Sequence, residues 1–338
     1  MKHTAKILSV FLLGLLAMAA ISAMVAKSLH ISLLVTTWPV AAHLLAFPSA
    51  LCVLLCSTGL AVAAISCWWK RKNGAIQRFW IVCAAASVVS GLLYGALAVE
   101  PAPRIDSGQT QQSDITVFEW NAHDSADVDQ FEEIFKRFDP DILVLPELGD
   151  YPTPGGTRLS NLLNDAGEKS TDYSIFTSQS QGGIAPLTVM IKKSLGEYTV
   201  QDTDLATYGS LILTPSTPNS ALPVIIGVHT APPLPGLMDS WRSDLKRIQS
   251  HLSSSDHKRA IITGDFNAQL HHGALASLTH YHEVKPCTLG GTWPRSAPPV
   301  FRSQIDHILT PDTVSVRATQ FYETKKSDHI ALVSTLSF

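Results

Sequence analysis

Apolar and polar positions change their pattern near residue 100, and the chain reads as two unlike parts. Ile7–Ala26 is a run of 20 residues without a charge, and Phe79–Val99 is another of 21. A third apolar region runs from about Val40 to Ile65, with Pro39 and Pro48 implying an irregular or kinked start. Each is long enough to cross a bilayer as a helix. Three transmembrane helices are therefore predicted, over about 7–26, 40–65 and 79–99, within a membrane domain of residues 1–100. Ser87, Gly91 and Gly95 recur every four residues, which suits close helix–helix packing. Residues 101–113 are polar with prolines at their start and read as a linker.

From residue 114 to 338 the pattern becomes that of a soluble α/β domain. Ile115–Trp120 predicts a strand. Val128, Phe131, Ile134, Phe135 and Phe138 mark one face of a helix over 127–138. Asp139-Pro140 ends it, and Asp141–Leu145 predicts a second strand. Further on, a helix is expected at Arg158–Ala166, and short strands at Tyr173–Thr177, Leu187–Lys192, Tyr198–Val200 and Leu211–Thr214. Leu222–Val228 is an apolar strand. Leu237, Trp241, Leu245, Ile248 and Leu252 form a helical stripe, and Ile261–Thr263 is a buried strand. Strands at Gln304–Leu309, Val314–Tyr322 and Ile330–Leu336 complete the series. A strand–helix–strand opening of this kind is the mark of an α/β domain with polar groups at its strand ends.

Charge orients the two parts. Residues 1–100 hold seven Lys/Arg and one acid, whereas residues 101–338 hold 18 basic and 27 acidic residues. Lys70, Arg71, Lys72 and Arg78 lie between the second and third spans, so that connection is expected in the cytoplasm. Lys2 and Lys6 place the N-terminus there too. The domain after Val99 then faces the periplasm or exterior of a bacterial inner membrane. The alternative, a cleaved signal peptide in Met1–Ala26, leaves it on the same side. Four of five cysteines lie in the apolar front, so Cys287 has no disulfide partner in the soluble part.

The soluble strands end in a recurring set of polar residues: Asn121, Glu147, His229, Asp265 with Asn267, Asp306, and Asp328 with His329. Phosphoester hydrolysis needs groups of these kinds. Glu147, Asn121 and Asp328 offer the oxygen ligands that Mg²⁺ prefers, with Mn²⁺ as the alternative. His329 can take a proton from water, with a carboxylate such as Asp306 fixing its tautomer. His229 and Asn267 can meet charge developing on phosphoryl oxygens.

Trp-Asn-Ala-His at 120–123, Leu-Pro-Glu at 145–147, Gly-Val-His-Thr at 227–230, Gly-Asp-Phe-Asn at 264–267, Ile-Asp-His at 305–307 and Ser-Asp-His at 327–329 stand in one order. That order resembles the endonuclease/exonuclease/phosphatase superfamily, from about Ile115 to the C-terminus. The resemblance implies a four-layer α/β sandwich, two central β-sheets flanked by helices, with the site where their loops converge. It casts Asn121 and Glu147 as the metal-binding pair and Asp328 as a further ligand. His229 would stabilise the phosphorane or assist the leaving group. Asp265 and Asn267 would position the nucleophile and contact the phosphate, Asp306 would orient, and His329 would be the catalytic histidine. Pro146 replaces the Gln often found before the Glu, which leaves the ligand itself in place.

Several residues read more simply. His271, His272, His280 and His282 sit in a polar segment, as solvated surface histidines do. His123 is placed at the rim of the site. Thr292-Trp293 resembles a loop that lies near the site in that superfamily, with local packing as the equal alternative for a Trp in a loop. The acidic soluble part lacks a basic stripe for nucleic acid, since Lys192-Lys193, Lys258-Arg259 and Lys325-Lys326 are only pairs. The expected activity is that of a membrane-anchored phosphodiesterase, with nucleic acid, a phospholipid headgroup or a small phosphoester as substrate. An idle phosphate-binding module on a membrane stem is the alternative of another class.

Overall fold

The computed structural model describes residues 35–68, 74–98, 114–201, 203–217, 220–254, 259–288 and 290–338. The first expected span and the linker lie outside them. A short helix α1, Pro39–Leu45, precedes α2, Pro48–Trp68, and α3, Gly74–Ala98. Pro39 sits in the first turn of α1 and Pro48 opens α2, where a missing N–H costs nothing. The irregular start expected at 40–65 is thus a separate helix.

Among the described residues one helix, Pro48–Trp68, is long and apolar enough to cross a membrane, not the two expected there. Helix α3 forms where the third span was expected, and its described apolar stretch is Gln77–Leu93. The two helices pack as a tight antiparallel pair. A Cβ on Gly91 would lie 2.7 Å from Cys56 Sγ and 2.9 Å from the Cys52 carbonyl. Ser87 Oγ donates to the Leu55 carbonyl at 2.8 Å. The four-residue spacing of Ser87, Gly91 and Gly95 therefore lies on the contact face.

The remainder follows the expected order closely. Strand β1, Asp114–Glu119, leads to α4, Val128–Phe138, which Asp127 and Gln130 cap reciprocally. Strand β2, Ile142–Leu145, then pairs parallel to β1. The small hairpin β3, Pro152–Thr153, and β4, Gly156–Thr157, precedes α5, Arg158–Asp165. Strands β5, Tyr173–Thr177, β6, Thr188–Lys192, β7, Tyr198–Gln201, β8, Gly209–Pro215, and β9, Val224–His229, lead to α6, Met238–Ser254. Strands β10, Ala260–Asp265, β11, Tyr281–Glu283, β12, Asp306–Pro311, β13, Ser315–Tyr322, and β14, Ala331–Ser337, finish the chain.

Two six-stranded sheets result, ordered β13-β14-β1-β2-β6-β5 and β11-β12-β10-β9-β8-β7. Alternation along the strands explains the layers. Val117, Ile142, Val189, Leu213, Ile225, Ile261 and Ile308 form the core between the sheets. Phe118, Leu143 and Met190 face outward to Phe131 and Ile134 of α4 and Leu159 of α5. Ile226, Ile262 and Leu309 face the other way, to Trp241, Leu245 and Ile248 of α6. The expected α/β sandwich, two sheets flanked by helices, is what forms.

Candidate active site

Strand ends from both sheets deliver the site. Strands β1 and β2 end side by side, so Asn121 reaches Glu147, donating from Nδ2 to Oε1 at 3.0 Å and to Asp265 Oδ2 at 2.9 Å. Strand β10 lies between β9 and β12, which brings Asp265 opposite His229 on one side and Asp306 on the other. Gly264 makes that fit possible: at φ +136°, any Cβ there would stand 2.0 Å from the Val228 carbonyl oxygen. Asp328 and His329 arrive just ahead of β14.

His329 Nδ1 lies 2.8 Å from Asp306 Oδ2, and both groups are buried. The other ring nitrogen, Nε2, faces Asp265 Oδ2 and Asp328 Oδ1 at 4.0 Å each. Burial alone would keep His329 neutral. The carboxylates of Asp306, Asp265 and Asp328 outweigh it and push the ring up to about 9. His229 is the opposite case: burial, then the nearby His329, lowers it to about 3, so it is a neutral imidazole. Its Nε2 lies 3.7 Å from Glu147 Oε1 and 3.8 Å from Asp265 Oδ2. Burial and the like charge of Asp306 push Asp265 up to about 7.

All eight sequence-chosen residues converge on this one mouth, though two stand differently from their expected tasks. The Asn267 amide donates to the Thr230 carbonyl at 3.0 Å, while its backbone N–H donates to Asp265 Oδ1 at 2.8 Å. Asn267 thereby ties the β10 loop and aims Asp265. Asp328 is half exposed and accepts from the Trp293 indole at 2.9 Å.

Other contributors were not chosen from the sequence. Glu119 is fully buried and neither of its oxygens has a hydrogen-bond partner. Burial, with Asp306 and Asp265 nearby, pushes its carboxyl well above the usual range. The signal was available: Ile115, Val117 and Glu119 share the inward face of β1, and an acid there needs a reason. His123 Nδ1 stands between Glu147 Oε2 at 3.4 Å and Asp328 Oδ1 at 3.9 Å. Thr292 Oγ1 accepts from the backbone N–H of Asp306 at 3.2 Å, and Ser327 Oγ donates to the Asn121 carbonyl at 2.6 Å. The Tyr208 ring packs edge-on at 5.3 Å from that of His229. Of the two readings open for that loop, Thr292 and Trp293 thus contact site residues directly. His123, Glu147 and Asn267 hold φ of 47°, 55° and 45°, a left-handed backbone gathered at the mouth.

The donor set suits a hard divalent cation. Among the described residues, the ion pairs of Glu147, Asp265, Asp306 and Asp328 are with histidines alone. Asp306 Oδ1 is buried without a partner. Asp265, Asp306 and His329 form a group whose ligand atoms all lie within 4.8 Å of one another. Glu147 and Asp328 flank a second position, the one His123 Nδ1 faces. Oxygen-rich and with no Lys or Arg ion pair to these four carboxylates among the described residues, the mouth matches what such a cation requires.

A two-sheet sandwich with a His–Asp pair and clustered carboxylates at its strand ends is a phosphoesterase fold. Residues 108–329 match the model of the Endonuclease/Exonuclease/phosphatase family, and the chain belongs to that family. Among solved structures, an endonuclease/exonuclease/phosphatase from Beutenbergia cavernae is similar, at 18% identity and TM-score 0.51, over 67% of this chain and 72% of that one. The human Nocturnin catalytic domain, solved with a bound sulfate, aligns at 17% identity and TM-score 0.49, over 71% of this chain and 100% of its own. A mannosyl-6-phosphatase from Bacteroides thetaiotaomicron aligns at 15% and 0.45, over 66% and 100%. At these identities the likeness concerns the fold. Comparison with curated proteins gives no match.

Proposed function

We propose that the protein is a membrane-anchored, divalent-metal-dependent phosphoester hydrolase. The observation that carries this reading is the buried 2.8 Å contact of His329 with Asp306, which leaves Nε2 facing the carboxylate-lined mouth. Asp306 holds the proton on Nδ1, so Nε2 is the atom that takes a proton from water. Asp265, aimed by the Asn267 backbone, orients that water toward phosphorus. The ester oxygen then leaves on the opposite side and regains a proton from solvent. Neutral His229 donates a hydrogen bond to the phosphoryl oxygens.

Glu147 and Asp328, with Asn121 Oδ1, are the residues that would hold Mg²⁺ or Mn²⁺. The Asp265–Asp306–His329 group is less suited, because a cation there competes with the Asp306–His329 contact. A cation bound between Glu147 and Asp328 would offset the carboxylate charge that raises His329 and neutralise the phosphoryl oxygens.

The membrane reading rests on α2 and on the side from which the domain hangs. The start of α2 and the end of α3 lie at the same end of an antiparallel pair, and residues 35–47 contact the domain there. The basic connection between the two helices, if cytoplasmic as its charge suggests, supports a domain in the periplasm or outside the cell. We infer that residues 35–47, which contact the domain, fold with 114–338. Full-length protein in detergent should hydrolyse bis-p-nitrophenyl phosphate with Mg²⁺ or Mn²⁺ and stop with EDTA. Absence of turnover on both phosphomonoesters and phosphodiesters would favour the idle binding module instead.

A further inference from the structure

Residues 35–47 are not a spacer ahead of α2. Arg242 donates through Nε and Nη2 to the Thr37 carbonyl at 3.2 and 2.7 Å. Gln269 donates to the Ala46 carbonyl at 2.8 Å, His271 to the Leu45 carbonyl at 3.0 Å, and the Gly273 N–H to Thr36 Oγ1 at 2.9 Å. Ala42 joins the apolar cluster under α6, among Trp241 and Leu245. His272, expected at the surface, is buried there, with its ring 5.6 Å from that of Trp241. The strap ends at Phe47, whose ring lies 6.3 Å from Trp293, the residue that holds Asp328 in the site. Pro48, the very next residue, starts α2. The 3₁₀ turn Pro299–Phe301, on the same rim loop as Trp293, also packs on α2. The rim of the site therefore abuts the entry to the candidate membrane helix.

The side of α1 turned away from the domain is mainly apolar, with His43 the one exposed polar side chain on it. Val40 and Leu44, one helical turn apart, are 74% and 39% exposed, and Trp38 just before them is 61% exposed. Phe301 on the rim adds a fourth, at 45%. Large apolar side chains gathered at the start of a spanning helix, with a Trp among them, are what an interfacial helix presents to lipid. Continuity with α2 identifies the occupant as the bilayer that α2 crosses.

We propose that Trp38, Val40, Leu44 and Phe301 seat the domain on the bilayer surface, and that the site takes a phosphoester carried by a membrane lipid. The proposal rests on the hydrolase reading above and deepens it. A mouth whose rim touches the start of a span meets headgroups at the depth where their lipids hold them, and such a substrate need not leave the membrane.

Two diesters with one leaving group test it: water-soluble ethyl p-nitrophenyl phosphate, and hexadecyl p-nitrophenyl phosphate embedded in phosphatidylcholine nanodiscs holding the full chain. The wild type should favour the embedded ester. The variant Trp38→Ser/Val40→Ser/Leu44→Ser/Phe301→Ser should lose about tenfold on it, the order expected when several apolar side chains no longer bury. Its rate on the ethyl ester should not change, which also reports that the fold is intact. A variant that keeps the wild-type rate on the embedded ester, or loses equally on both, overturns the proposal. Cleavage of neither ester by the wild type overturns the hydrolase reading itself. As a second readout, brominated lipids should quench wild-type fluorescence more than that of Trp38→Phe; equal quenching counts against the seat.

Discussion

Replacing Asp306 by Asn tests the chemistry at one atom. The Asp306 carboxylate accepts from His329 Nδ1 at 2.8 Å and is wholly buried, so it decides which ring nitrogen carries the proton. An Asn amide is nearly the same size but can donate to Nδ1 instead, which moves the proton to Nε2 and removes the base. General-base assistance is worth about 10²–10⁴-fold, so kcat in Asp306→Asn should fall by that factor, about 3–5 kcal/mol of barrier. The KM should move little, because Asp306 lies behind the histidine and away from the mouth. Asp306 also raises His329, together with Asp265 and Asp328. Without it the residual rate should climb at lower pH than in the wild type, as His329 loses its proton earlier. The assay is steady-state hydrolysis of bis-p-nitrophenyl phosphate across pH, with thermal denaturation as a check on folding. Wild-type kcat in a folded Asp306→Asn protein would refute the reasoning.

Other outcomes follow from the same structure. Mg²⁺ or Mn²⁺ should raise the melting temperature, since binding to the native state adds RT ln(1 + [L]/Kd), and Glu147→Gln should blunt the rise. No shift at millimolar metal would count against Glu147 and Asp328 as ligands. In His307, burial favours the neutral ring, but Glu283 Oε1 at 2.5 Å from Nδ1 raises its pKa above the ordinary value. A raised histidine stabilises fully below its unfolded pKa, and that contribution disappears as pH rises through the folded one. Glu283→Ala should thus cost about 3–5 kcal/mol in mildly acidic buffer, and the deficit should shrink toward alkaline pH. A deficit that grows with pH would contradict this.

Much of the soluble fold could be read from the sequence because it is built from local alternation. Tyr173–Thr177 forms the strand expected, and β1, α4 and β2 fall within a residue or so of their expected bounds. The strand-end residues were visible for the same reason: a polar side chain closing an apolar run stands out. What stayed hidden depends on partners distant in the chain. His271 and His272 lie in a polar stretch, and only the strap at residues 36–46 explains why they are ordered and covered. Trp293 becomes a site residue only once Asp328 folds beside it. Strand β11 is three residues long and pairs with β12 across a long loop, too little pattern to announce itself. Glu119 broke the expected alternation and could have been found on that ground alone.

The central claim is that His329 is the proton acceptor in phosphoester hydrolysis. The direct measurement is kcat for bis-p-nitrophenyl phosphate, with metal saturating, in the wild type and in folded His329→Ala. The account predicts turnover in the first and a loss of at least about 10²-fold in the second. Equal rates in the two proteins would contradict it.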